Sequence, residues 1–122
     1  MKGEEQRFVV QLHKASRIHW DFRLEMDGVL KSWAIPKEPP TQKGVKRLTI
    51  QTEDHELSYI DFQGIIPEGQ YGAGTVETWD RGTFTLEERS PKEIRFNLKG
   101  QKLKGEYILV RFRDNWLLFR RS

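Results

Sequence analysis

The sequence predicts an all-β domain: a compact, closed or nearly closed β-barrel of about eight mostly antiparallel strands, with short flanking helical pieces. Three observations carry this. Apolar and polar side chains alternate with period two through most of the chain, as in strands that present one face to a core. Turn-forming residues punctuate that alternation at short intervals. So many short strands within 122 residues favour closure, because closure removes exposed sheet edges.

The elements follow in order. In RFVVQLHK, Val9, Gln11 and His13 alternate with Phe8, Val10 and Leu12. In HWDFRLEM, His19, Asp21, Arg23 and Glu25 share one face, and Trp20, Phe22, Leu24 and Met26 share the other. Asp27-Gly28 then reads as a two-residue hairpin turn into VLKSWAIP. Pro36, Pro39, Pro40 and Gly44 mark a loop. Further strands are expected over 47–52, 74–80, 82–88, 93–99, 106–113 and 115–121, with tight turns at Asp80-Arg81-Gly82 and Arg113-Asp114-Asn115. The stretch from Ile65 to Gly74 reads as a long glycine-punctuated connection, and a short helical piece is expected near Ser90–Lys92. No repeat or linker interrupts the pattern, so residues 1–122 are expected to form one domain.

Composition narrows the chemistry. The chain has no cysteine, which excludes disulfides, thiolate metal sites and cysteine nucleophiles. The start, MKGEEQRFVV, has neither a signal-peptide core nor a transit-peptide composition. No apolar run approaches the roughly 20 residues of a membrane span. A soluble, cytoplasmic protein is expected. The net charge is +3 but uneven: residues 89–122 carry 10 Lys/Arg against 3 Asp/Glu. That end suits a polyanion if its cations cluster in space, and otherwise merely solvates the outer faces of strands.

The three histidines are informative. His19 and Asp21, one residue apart on a strand, project from the same face with bases roughly 6–7 Å apart. A turn through residues 14–18 brings His13 alongside. The resulting His-x5-His-x-Asp set offers two imidazole nitrogens and a carboxylate, and leaves coordination positions open as catalysis requires. Arg23 continues the face with a guanidinium fork suited to phosphate. Either histidine alone reads sooner as an ordinary half-buried strand histidine with backbone partners. The metal reading comes from the whole polar face set opposite four apolar residues. His55, in Glu53-Asp54-His55-Glu56-Leu57-Ser58-Tyr59, offers a general acid or a phosphate hydrogen bond, and Tyr59 offers a hydroxyl donor. From its residues alone the segment reads sooner as a surface loop anchored by Leu57 and Tyr59. The glycines from Gly69 to Gly74 are not a P-loop, since no Gly-Lys-Ser/Thr follows.

The string from Gln11 to Glu25, QLHKASRIHWDFRLE, resembles the signature of the DNA ligase D 3′-phosphoesterase family. So do SWAIPK (32–37), EDHELSY (53–59), GIIPEGQYGAGTV (64–76) and WDRG (79–82). The resemblance runs over most of residues 8–112. It implies a β-barrel, a manganese cofactor and healing of 3′ ends in non-homologous end joining, by removal of 3′-terminal ribonucleotides and then of 3′-phosphates. It also implies His13, His19 and Asp21 as metal ligands and Arg23, His55 and Tyr59 around the scissile phosphate. Gln11, Lys37, Arg47 and Glu53 would line the same pocket. The expected partners are primer-template nucleic acid ends, with any ligase or polymerase acting in trans on a free-standing prokaryotic phosphoesterase. The first strand begins almost at once, which makes the monoesterase activity the better supported of the two.

Two other classes fit parts of the pattern. A two-His-one-carboxylate set also serves non-haem iron oxygenases, but Arg23 and the basic flank point to phosphate. A non-catalytic β-barrel binding single strands would place aromatic platforms on its binding face, whereas most aromatics here alternate onto the apolar side.

Overall fold

The computed structural model describes residues 5–122; residues 1–4, on which the expected domain start and part of the N-terminal reading fall, lie outside the described residues. Nine strands form: β1 (Glu5–Lys14), β2 (Ile18–Met26), β3 (Val29–Ile35), β4 (Lys46–His55), β5 (Gly64–Ile66), β6 (Gly74–Arg89), β7 (Glu93–Lys99), β8 (Lys104–Phe112) and β9 (Asn115–Arg120). Eight of them close an antiparallel barrel in the order β1-β2-β3-β4-β9-β8-β7-β6, with β6 returning to β1. The short β5 extends the sheet outside the ring by pairing with the start of β6.

The alternation decides which face turns inward. Phe8, Val10, Phe22, Leu24, Trp33, Phe84, Phe96, Tyr107, Leu109 and Leu118 fill the barrel, all at or near zero exposure. Withdrawing each such side chain from water contributes about 1.5–3 kcal/mol. Gln11, His13, Asp21 and Arg23 therefore point outward, yet they too are buried. What covers them is a 3-10 helix, Leu57–Asp61, and the chain that follows it. Ile60 from this helix packs with Val9 and Leu30 on the outer wall, joined by Leu57 and Tyr59. Arg81 ties Asp61 to β6 at 2.8 Å, and Gln63 accepts a hydrogen bond from the Thr78 amide at 2.9 Å.

Three local expectations are corrected. Asp80-Arg81-Gly82 is not a turn, because β6 runs unbroken through it and β1 pairs along its length with one bulge, between Val10 and Gln11. Asp80 is buried and spends its carboxylate on the backbone amides of Gln101, Lys102 and Leu103 at 2.8–3.1 Å. Gly82 is there for close approach: a Cβ at that position would collide with the Lys99 carbonyl oxygen. Residues 90–92 are not helical but form the β6–β7 turn, in which the Ser90 hydroxyl accepts from the amides of Lys92 and Glu93. The connection from Ile65 to Gly74 contains β5, a strand too short for its alternation to register. The turn at Arg113-Asp114 forms as expected, with Arg113 at φ 58°.

Candidate metal and phosphate site

The site grows from the β1–β2 hairpin. Its register sets His13 opposite His19, Gln11 opposite Asp21 and Val9 opposite Arg23. The two imidazole rings stand 4.7 Å apart, and Asp21 Oδ2 lies 3.5 Å from His13 Nδ1 and 3.3 Å from His19 Nε2. One ligand atom from each of the three falls within 4.8 Å of the others, the one such group among the described residues.

The donor chemistry fits a cation. His13 Nε2 lies 2.6 Å from the Gly72 carbonyl oxygen, which can only accept. The ring proton therefore sits on Nε2, and the Nδ1 lone pair faces Asp21, the arrangement by which an outer partner orients a metal-ligating histidine. Gly72 holds φ +77°, where a side chain would be strained, and a Cβ there would come within 3.4 Å of the His13 ring. Burial works against charge on Asp21, but the hydrogen bond to His19 and the charge of Arg23 outweigh it and hold its carboxyl below the usual range. The hydrogen bond to Asp21 likewise raises the His19 imidazole against the effect of burial. His19 is the most open of the three, with 26% of its side chain exposed against 10% for His13 and Asp21. The cradle thus has an accessible side.

Arg23 lies beside the cradle, held on three edges. Its Nε donates to Gln11 Oε1 at 2.7 Å, and its Nη1 donates to Ser32 Oγ at 2.7 Å and approaches His55 Nδ1 at 3.1 Å. Nη2 stands 3.6 Å from Asp21 Oδ2, too far for a hydrogen bond, so its protons remain available to an oxyanion. Gln11 Nε2 donates in turn to the Tyr59 carbonyl at 2.9 Å, which fixes the 3-10 helix over the site. The Tyr59 ring lies 5.0 Å from the Arg23 guanidinium carbon and 4.8 Å from the His55 ring.

His55 Nδ1 faces two groups with opposite demands. Arg23 can only donate to it, whereas the Glu53 carbonyl, 3.2 Å away, can only accept. Burial, then the Arg23 charge, push the His55 imidazole below its ordinary value. The neutral ring accepts from Arg23 and leaves Nε2–H as a donor. Burial raises the Tyr59 phenol, which keeps it a donor too.

Seven expected residues therefore meet: Gln11, His13, His19, Asp21, Arg23, His55 and Tyr59. Glu53 joins through its carbonyl, while its side chain is exposed. Lys37 is exposed, two residues beyond β3. Arg47 is not brought into contact with these groups; it donates to the Glu38 carbonyl at 2.7 Å, bracing the loop that carries Lys37. Ser32 and Gly72 escaped the sequence reading. Ser32 was findable, because a two-residue turn at Asp27-Gly28 dictates the register that pairs Arg23 with Ser32. Gly72 was not, since a backbone carbonyl contact across 59 residues leaves no trace in composition.

Fold and site together define a barrel whose outer wall carries a candidate His-His-Asp metal cradle beside a buried arginine. The chain belongs to the DNA ligase D 3′-phosphoesterase domain family, whose model matches residues 11–111. It is 53% identical over 111 residues to the multifunctional non-homologous end joining protein LigD of Pseudomonas aeruginosa, covering 86% of this chain and 13% of that one. It is 48% identical over 123 residues to the LigD of Mycobacterium tuberculosis H37Rv, covering 97% and 16%, and 42% identical over 130 residues to that of Mycolicibacterium smegmatis, covering 97% and 17%. The chain thus spans less than a fifth of these relatives. Among the described residues no helix is long and apolar enough to cross a membrane.

Proposed function

We propose that this protein is a manganese-dependent phosphoesterase of nucleic-acid 3′ ends, removing 3′-phosphates and 3′-terminal ribonucleotides in prokaryotic double-strand break repair. The observation that carries the reading is the abutment of two devices, the His13–His19–Asp21 cradle and the free Nη2 edge of Arg23, 3.6 Å from Asp21. Family membership supplies the substrate class, and the relatives' names supply end joining. The choice of manganese rests on the family resemblance, since two imidazoles and a carboxylate accept several divalent ions.

His13 Nδ1, His19 Nε2 and Asp21 Oδ2 would hold the ion. When bound, it supplies neutralisation of charge developing on the phosphate oxygens. The chain's own groups do the rest. Arg23 donates through Nη2 to a non-bridging oxygen and aligns the phosphorus, lowering the entropic cost of the reactive geometry. His55 donates through Nε2–H as a neutral ring. The Tyr59 hydroxyl, without a hydrogen bond among the described residues, adds a third donor. The healed 3′-hydroxyl is then ready for polymerase or ligase.

The test is a 5′-labelled primer on a longer template, ending in one ribonucleotide or in a 3′-phosphate, incubated with and without manganese. Metal-dependent shortening or dephosphorylation is expected, abolished by His19→Ala with the fold intact. Full activity in that variant, or strand binding without turnover under any divalent ion, overturns the reading.

A further inference from the structure

Antiparallel closure gathers the start of β4, the end of β9, the start of β8 and the β7–β8 turn at one end of the barrel. Lys46 pairs with Phe119, Lys43 bridges Arg120, Arg120 faces Tyr107, and Lys104 stands opposite Lys99. Arg121 is tied alongside by its amide to the Glu106 carbonyl at 2.7 Å, and Lys102 sits in the β7–β8 turn. Six cations from segments distant in sequence therefore form one surface: Lys43, Lys46, Lys102, Lys104, Arg120 and Arg121. All but Arg120 are exposed.

Several cations elsewhere on the barrel are paired, and Lys92, Arg111 and Arg113, which form no ion pair among the described residues, lie in or beside the turns at the far end; the six are set apart by sharing one surface beside the site. Towards the opposite end, Arg89 is bonded to Asp27 at 2.7 Å and Lys31 to Asp54 at 3.0 Å, while Arg95 pairs with Glu93 and Arg7 with Glu25. Lys99, at the edge of the basic end, is neutralised by Glu5 at 2.7 Å. None of the six pairs with a side-chain carboxylate among the described residues, while Arg120 Nε donates to an oxygen of the last residue, Ser122, at 2.9 Å. Lys46 rests over the Phe119 ring, Lys102 donates to the Trp79 carbonyl, and Arg120 donates to that of Thr41. Such contacts fix a cation's position without cancelling its charge. Glu38 and Glu106 are the carboxylates carried by the same segments.

This surface is continuous with the site. β3 ends at Ile35, which pairs with Trp20, the residue after His19. The loop leaving that point carries Lys37, then Lys43, and delivers the chain to Lys46. Unpaired charge leading away from a phosphate site has the constitution of a backbone track for a polyanion.

We propose that this end of the barrel is the docking surface for the sugar-phosphate backbone of the duplex whose 3′ end enters the site. The inference rests on the nucleic-acid reading above and adds where the stem is held. Contacts of this kind position the substrate without reading its sequence.

The experiment is fluorescence anisotropy of a labelled primer-template ending in a 3′-hydroxyl, which needs no turnover, titrated across a series of salt concentrations. One variant combines Lys43→Gln, Lys46→Gln, Lys104→Gln and Arg121→Gln. Another combines Lys31→Gln with Arg89→Gln, whose native partners neutralise them. Neutralising one phosphate-binding cation lowers the slope of log affinity against log salt by about 0.9, so the fourfold variant should fall by about 2–4 in slope while the control keeps the wild-type value. A wild-type slope in the fourfold variant, or equal reductions in both, overturns the docking surface. Turnover of a 3′-phosphorylated dinucleotide, too short to reach this end, reports separately on the enzymatic reading.

Discussion

The Nε2–H of His13 donates to the carbonyl oxygen of Gly72 at 2.6 Å, and so the ring meets Asp21 through a nitrogen with a free lone pair. A turn residue 59 positions along the chain thereby chooses the tautomer of a candidate metal ligand. Because Gly72 holds φ +77° beside the His13 ring, Gly72→Ala should shift that carbonyl and release the ring. Disturbing an outer partner of this kind typically costs about 10–100-fold in metal affinity. Manganese titration followed by calorimetry should show a weakening of that size, and unchanged affinity would remove Gly72 from the account.

Gln11 joins two parts of the site that share no other hydrogen bond among the described residues: Arg23 on the barrel and the 3-10 helix above it. Gln11→Leu keeps the volume but strands the buried Arg23 Nε–H and leaves the Tyr59 carbonyl only the Phe62 amide at 3.1 Å. Leaving buried polar groups unpaired costs about 1–3 kcal/mol. Urea unfolding should record that loss, and kcat should fall because the guanidinium loses one fixed edge. Retention of both stability and turnover would contradict the positioning role.

Asp80 tests the unbroken β6. Its carboxylate accepts from the amides of Arg81, Gln101, Lys102 and Leu103, so Asp80→Ala leaves the β7–β8 turn without its anchor. Hydrogen bonds to a charged acceptor contribute about 1.5–3 kcal/mol each in favourable cases, and shared among four weakly additive bonds a loss of about 3 kcal/mol is expected. Metal affinity measured well below the new melting temperature should stay near wild type, since Asp80 touches none of the ligands.

Tyr107 predicts an alkaline transition. Its hydroxyl donates to the Pro40 carbonyl at 2.7 Å inside the barrel, and burial pushes the phenol up to about 12, against about 10 for a free tyrosine. A proton held more tightly in the folded state stabilises it fully below pH about 10 and progressively less as pH rises towards about 12. Tyr107→Phe should flatten the fall in stability across that window relative to wild type. Parallel alkaline unfolding curves for the two proteins would argue against it.

Much was legible from the alternation of side chains. Period two assigned Phe22 and Leu24 to one face and Asp21 and Arg23 to the other, and the Asp27-Gly28 turn set the register of the β2–β3 hairpin. Those are local facts, because neighbours on a strand face are two residues apart in sequence. The candidate cradle was therefore readable, with His13, His19 and Asp21 all on one hairpin. Alternation could not say whether the polar face is solvent or site. That was decided by Ile60 packing on Val9 and Leu30, which lays the 3-10 helix over Arg23 and turns an outer wall into a buried pocket. Nor could it say which lysines are neutralised, since that depends on which carboxylate the closed sheet brings near each of them. The barrel, its inward face and the candidate His13–His19–Asp21 cluster are thus written in the order of residues, through contacts within a strand or across a tight turn. The roof, the tautomer of His13 and the place of the unpaired charge emerge on closure, because each depends on groups brought together from distant parts of the chain.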